Sequence, residues 1–244
     1  MNELFISEIR INRNADINLS TYPFSLPAIK NLNSLILKKP VTFLVGENGT
    51  GKSTLLEAIA VSYGFNPEGG SKNFNFSTMS THSKLHEYLY LIKGYRQAKD
   101  GYFLRAESFY NVAIEIDALE KIYPGIWETY GGKSLHVQSH GESFFSLITK
   151  RFWGNGLYIL DEPEAALSPS RQMAFLCRMN DLVKQHSQFI IATHSPILLA
   201  YPDAQIFVLN DDKIELTPYK KTEHYSLTKQ FLNNPEGILK HLLD

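Results

Sequence analysis

The eight residues Gly46-Glu47-Asn48-Gly49-Thr50-Gly51-Lys52-Ser53 limit what this chain can fold into more than any other segment. They fit the spacing G-x-x-x-x-G-K-[ST] without a mismatch, and they carry the flanks that the spacing requires. Before them, Val41 to Val45 is a compact apolar run bounded by Pro40 and Gly46, the pattern of a buried central strand. After them, Leu55, Leu56, Ile59 and Tyr63 recur at helical spacing, and Gly64 supplies a stop. In such a strand–loop–helix turn the glycines let successive backbone N–H groups point inward, and the helix N-terminus adds the positive end of its dipole. The stretch Gly46, Asn48, Gly49, Thr50, Gly51, Lys52, Ser53 and Thr54 is therefore a predicted cradle for nucleotide phosphates. Lys52 can reach the β- and γ-phosphates, and the Ser53 hydroxyl can hold Mg²⁺.

A site of this kind needs a second ligand for the metal at the end of a neighbouring buried strand. Leu157-Tyr158-Ile159-Leu160-Asp161-Glu162 is an apolar run ending in two acids. Asp161 is the expected metal ligand, and Glu162 the expected group that polarises a water against the γ-phosphate. Phe189-Ile190-Ile191-Ala192-Thr193-His194 is another apolar run, ending in a histidine that can hydrogen-bond the γ-phosphate or the attacking water.

The rest of the chain follows an alternating plan. The first 40 residues hold short apolar stretches broken by Asn and Pro, expected as a small antiparallel set of strands. Gly64 to Thr81 is rich in Gly, Asn and Ser and is expected as a long surface loop. Leu85, Leu89 and Ile92 suggest a helix, Tyr102 to Leu104 a strand, and a second helical piece runs to about Leu119. Phe144, Phe145, Ile148 and Phe152 mark one helix, and Phe175 to Val183 another. Ile206 to Leu209 and Ile214 to Leu216 read as a closing hairpin. Strands alternating with helices predict an α/β fold with a mostly parallel sheet covered on both faces.

Lys plus Arg number 24 against 25 Asp plus Glu, a formal net charge of -1, so no global basic field recruits a polyanion. With 43% hydrophobic and 20% charged residues the composition is that of a folded globular protein. Cys177 is the single cysteine; it sits among apolar helical positions, which predicts a buried thiol in a reducing compartment. No apolar run reaches the roughly 18 residues of a membrane span, and the N-terminus has no signal pattern, so a cytoplasmic location without membrane insertion is expected. His82, His86, His136 and His140 have no zinc-ligand spacing. Lys93, Arg96, Lys99 and Arg105 form the best basic cluster, equally explained by a solvated face.

With these residues in place the sequence resembles the ATP-binding-cassette (ABC) ATPases. The distinguishing segment is Gln138-Ser139-His140-Gly141-Glu142-Ser143, which opens a helix upstream of Asp161 as the signature usually written LSGGQ does. Only the Ser and the second Gly of that pattern agree. The resemblance implies that Ser139 and Gly141 bind the γ-phosphate of ATP held by a second subunit. Glu164-Ala165-Ala166-Leu167-Ser168-Pro169 falls where the family has its D-loop. The wording around it looks more like the soluble branch related to RecF, SMC and the overcoming-lysogenization-defect nucleases than like transporter cassettes. The family's Q-loop position matches Glu107, a carboxylate that could contact Mg²⁺, with Gln97 as the fallback; Arg13, Tyr22 and Phe24 lie where the superfamily stacks adenine or grips phosphate.

The resemblance implies an ABC-type P-loop ATPase fold: a mostly parallel sheet, an N-terminal antiparallel portion and a small helical subdomain. The expected organisation is one domain over residues 1–244, with a helical or lid insertion at approximately 64–142. ATP and Mg²⁺ are the implied cofactors, a homodimer formed on ATP binding the implied assembly, and a further protein the implied partner. Two other readings stay open: a nucleotide-binding subunit of a membrane transporter, and a slow-turnover regulatory or nucleic-acid-binding module.

Overall fold

The structure is a computed structural model that describes residues 3–12, 17–72, 83–105, 109–211 and 213–243, with His140 described by its backbone alone. Arg13 and Glu107 lie outside the described residues.

Six strands form the larger sheet: β3 (Val41–Val45), β5 (Asp100–Arg105), β6 (Gly156–Asp161), β7 (Gln188–Ala192), β8 (Gln205–Leu209) and β9 (Ile214–Leu216), in the order β5-β6-β7-β3-β8-β9. Every pairing is parallel except β8 with β9, which is the antiparallel hairpin read from the sequence. A smaller antiparallel sheet places β1 (Ile6–Ile11) between β2 (Ser34–Ile36) and β4 (Leu89–Lys93).

The central strands are near-continuous apolar runs because both faces of the parallel sheet are covered. Their side chains alternate between two cores. Leu157, Ile159, Ile190 and Ala192 face one core, shared with the small sheet and with helix α2 (Lys52–Tyr63) through Leu55 and Ile59. Tyr158, Leu160, Phe189 and Ile191 face the other, shared with Phe175, Met179 and Leu182 of α5 (Pro169–Lys184). Helix α2 stops at Gly64, whose φ of 107° carries its N–H back to the Ala60 and Val61 carbonyls. Helices α1 (Pro27–Lys30), α3 (Phe109–Ile122), α4 (His140–Ser146), α6 (Glu223–Asn233) and α7 (Pro235–Leu243) complete the described set.

Three expectations are corrected. The helix suggested by Leu85, Leu89 and Ile92 is a short 3₁₀ turn over Lys84–Tyr88 followed by β4, because pairing with β1 decides a segment whose apolar residues fit either period. The Phe144–Phe152 helix ends early: α4 widens into a π-helical turn over Leu147–Arg151, and Phe152 is extended, stacked 4.2 Å from Tyr158. Cys177 is exposed, since α5 buries Gln172, Phe175, Met179 and Leu182, and position 177 points to the opposite side. Of the basic group, Arg96 bonds Asn155, Lys93 lies over the Tyr63 ring, and Arg105 pairs with Glu57 at the far end of β5. The span 64–142 holds β4 and β5 as well as helix, and β5 is an edge strand of the main sheet.

Candidate functional site

All the parallel strands run the same way, so the ends of β3, β6 and β7 bring three separate loops to one edge. This is the edge at which parallel α/β sheets bind ligands. At the end of β3 the chain turns through Gly46, Gly49 (φ 84°) and Gly51 (φ 99°) into α2. Gly51 sits at a φ that strains any L side chain, and a Cβ there would also crowd the Leu26 side chain at 3.2 Å. Gly46 meets the Leu209 carbonyl, so the loop is braced from behind by the end of β8.

Lys52 is buried, and its Nζ donates to the Gly46 carbonyl at 2.6 Å and the Glu47 carbonyl at 2.8 Å. Burial pulls the Lys52 pKa below its ordinary value, with the nearby Glu162 and Asp161 acting the other way. Ser53, one residue into α2, donates its hydroxyl to Oδ1 of Asp161 at 3.1 Å. A hydroxyl and a carboxylate oxygen so placed are hard oxygen donors, which suits Mg²⁺. Arg105 reinforces the corner, lying 4.0 Å from the other Asp161 oxygen while donating to Glu57 at 2.6 Å.

Glu162 follows the last residue of β6 in the left-handed region (φ 49°), a conformation that costs a non-glycine residue about 1–3 kcal/mol and tends to be kept at functional sites. The turn is held by the Glu162 N–H donating to the Ala192 carbonyl at 2.9 Å, and it brings a Glu162 carboxylate oxygen to 3.5 Å from Nε2 of His194. Two contiguous clefts meet here. One, of about 340 Å³, is lined by Asn48, Gly49, Gly51, Lys52, Ser53, Thr54, Glu162 and Leu26. The other is lined by Glu47, Asn48, Glu162 and His194. Among the described residues Nε2 of His194 is buried and has no hydrogen-bond partner, so the site holds a polar atom open to a further contact.

Most of the residues singled out from sequence thus converge: Gly46 and Thr50 shape the loop, and the others from Asn48 to Thr54 line the cleft with Glu162. Ser139 and Gly141 do not line these clefts. Ser139 precedes α4 and bonds Glu142 through both its N–H (3.1 Å) and its hydroxyl (2.7 Å). Gly141 packs against the Ala166 carbonyl, so the signature-like segment touches the D-loop-like turn. Gln97 precedes β5, at the opposite end of the paired strands β5 and β6 from Asp161. Phe24 is buried in an edge-on contact with Tyr88, and Tyr22 is exposed.

Sequence reasoning missed four members. Leu26 closes the cleft from α1. Glu57 holds Arg105 beside Asp161. Glu164 accepts the backbone N–H of His194 at 2.5 Å, and burial pushes its carboxyl pKa up. Nε2 of His224 lies 3.1 Å from Nδ1 of His194. Burial, seconded by Lys52, lowers the His194 pKa; burial, seconded by His194, lowers that of His224. Of these only Glu164 had a local signal, its place in the acidic string after β6.

Fold and loop geometry together give the chain the phosphate-loop NTPase fold of the ABC type. Two family models match the chain: one described as "AAA domain" over residues 3–123, and one described as "AAA domain, putative AbiEii toxin, Type IV TA system" over residues 143–200. A protein named "Putative ABC transporter ATP-binding protein" from Caldanaerobacter subterraneus subsp. tengcongensis is 24% identical over 235 residues, 90% of this chain and 93% of that protein. A protein of the same name from Bacillus cereus is 26% identical over 209 residues, 81% of this chain but 37% of that protein. Among solved structures, CbiO1 of Clostridium perfringens, described as part of the ABC transporter complex CbiONQ, shares the fold with a TM-score of 0.52 at 17% identity, covering 98% of this chain and 99% of that one. No described helix is long and apolar enough to cross a membrane.

Proposed function

We propose that the chain binds Mg-ATP in the cleft beside the phosphate loop, hydrolyses it, and uses the cycle to close and open a head-to-tail homodimer. Residues 1–244 act in this reading as one ATPase domain. The observation that carries it is the convergence of Lys52, the Ser53–Asp161 pair, Glu162 and His194, from three separate loops, around two adjoining clefts that share Asn48 and Glu162.

In the proposed reaction the loop N–H groups and Lys52 hold the phosphates, and Lys52 balances the charge that develops on the γ-phosphoryl group. Ser53 and Asp161 would hold Mg²⁺, whose positive charge neutralises the phosphate oxygens. Glu162 orients a water for in-line attack and accepts its proton. His194 donates Nε2–H to a γ-phosphate oxygen. Ser139 and Gly141 serve the site of the second subunit, which agrees with their distance from the clefts of their own chain. ATP contacts made across the interface exist only in the closed dimer, so hydrolysis releases it.

Glu162→Gln tests the reading. It is expected to cut phosphate release about 10²–10⁴-fold while keeping Mg-ATP binding, and to accumulate a dimer by light scattering. Undiminished phosphate release would sink the catalytic assignment. A variant that stays monomeric at saturating Mg-ATP would sink the dimer.

A second reading is favoured by the two relatives named as ABC transporter ATP-binding proteins: the same ATPase cycle would drive a membrane-embedded partner. Co-purification with an integral membrane protein supports that reading. ATP turnover stimulated by DNA or RNA in a salt-sensitive way would instead favour a nucleic-acid-linked module.

A further inference from the structure

Helix α6, which precedes the last described helix α7, reaches back to the phosphate-loop end of the sheet through one residue. His224, in its first turn, presents Nε2 at 3.1 Å from Nδ1 of His194, with the two rings tilted by 46°. The segment before α6 is pinned to the same loop: the Tyr219 hydroxyl donates to the Pro196 carbonyl at 2.9 Å, and the buried Thr222 donates to the Tyr219 carbonyl at 2.7 Å. A small cavity between the phosphate loop and α6 is lined by Gly46, Glu47 and Thr50 on one side and by Thr222, Glu223 and His224 on the other. The seat of His224 is thus tied to the loop after β7 and faces the phosphate loop across the cavity.

Two ring nitrogens this close share a single proton, and its position decides what His194 can do. If Nδ1 of a neutral His194 carried it, Nε2 would turn a lone pair towards the Glu162 carboxylate oxygen 3.5 Å away, which is repulsive. With the proton supplied by His224, Nδ1 of His194 accepts, and Nε2 carries the hydrogen that faces Glu162 and the cleft. Burial and Lys52, which hold the His194 pKa down, favour this neutral pair.

We propose that His224 is a positioning residue: by donating Nε2–H to Nδ1 of His194 it fixes His194 as the Nε2–H tautomer, the form that can donate to a γ-phosphate oxygen, and makes that form depend on α6 being seated. The functional half of this inference rests on the proposed role of His194; the tautomer half does not.

The test pairs ¹⁵N NMR of histidine-labelled protein with steady-state ATP hydrolysis. In the unmodified chain His194, assigned by loss of its signals in His194→Gln, is expected to show a protonated Nε2 and a bare Nδ1. In His224→Ala the two His194 tautomers should mix. Turnover of His224→Ala is expected to fall about tenfold at an unchanged KM for ATP. His224→Gln, which keeps an N–H donor at similar reach, should recover most of the turnover and the single tautomer. A protonated Nδ1 on His194 in the unmodified chain, or a tautomer unaltered by His224→Ala, overturns the inference. Full turnover in His224→Ala, when His194→Ala is impaired, overturns the positioning role alone. Full turnover in His194→Ala overturns the proposed role of His194, and with it the functional half.

Discussion

The Ser53 hydroxyl donates to Oδ1 of Asp161 across 3.1 Å, joining the first turn of α2 to the last residue of β6. The two residues come from distant parts of the chain, and the pair supplies an alcohol and a carboxylate at one point.

If that point is the Mg²⁺ site, Ser53→Ala and Asp161→Asn should each lower ATP affinity by about tenfold or more in the presence of Mg²⁺. In EDTA the variants and the unmodified chain should bind ATP alike. Titration calorimetry with and without Mg²⁺ checks this, and an equal loss under both conditions would argue that the pair serves the fold and not the metal.

Gly141 approaches the D-loop-like turn closely, since a Cβ would lie 2.7 Å from both the Ala166 carbonyl oxygen and a terminal nitrogen of Arg171. Arg171 can swing aside; the backbone at Ala166 cannot. Gly141→Ala is expected to cost about 1–3 kcal/mol in urea unfolding. It should also weaken ATP-driven association, measured by sedimentation, while ATP binding to the monomer is retained.

Arg105 donates to buried Glu57 at 2.6 Å, and the Ser83 N–H serves the other Glu57 oxygen at 3.0 Å. Arg105→Ala removes one of these and should destabilise the fold by about 1–3 kcal/mol, the cost of an under-bonded buried carboxylate. Arg105→Lys should recover only part of this, because an ammonium lacks the planar fork. Denaturant midpoints for the two variants decide it.

Glu164 gives a pH dependence with a definite sign. Burial raises its folded pKa, so below the ordinary carboxylate value both folded and unfolded chains hold the proton and the group is neutral in its effect. As pH rises past that value the unfolded chain ionises first, and stability falls until the folded carboxyl ionises too. Glu164→Gln has no such loss. The thermal midpoint of the variant minus that of the unmodified chain should therefore increase with pH across this window and then level off; a flat difference would contradict it.

What the sequence made legible was whatever it writes locally. The phosphate loop is fixed by glycines and a lysine at set spacing, and β3, β6 and β7 by apolar runs whose termini carry Gly46, Asp161 and His194. Residues 89–93 misled because Leu-Tyr-Leu-Ile-Lys suits either a helix or a strand, and β1, some eighty residues away, makes the choice. Cys177 misled because apolar neighbours do not reveal which side of α5 it occupies. Leu26, Glu57 and His224 could not be read at all. Each enters the site through a contact that crosses the fold, and nothing in its own neighbourhood distinguishes it from an ordinary leucine, an ordinary helix acid or a histidine in a polar stretch.

The strand that carries the phosphate loop has a consequence for how the protein is made. β3 ends at Val45, yet its neighbours on either side are β7, which begins at Gln188, and β8, which begins at Gln205. At a translation rate of about 5–20 residues per second, a nascent chain carries β3 with both hydrogen-bonding edges open for on the order of ten seconds. The phosphate loop is written early in the message but its strand gains neighbours only late, so any truncation before Gln188 leaves the loop intact in sequence but without the sheet that gives it shape.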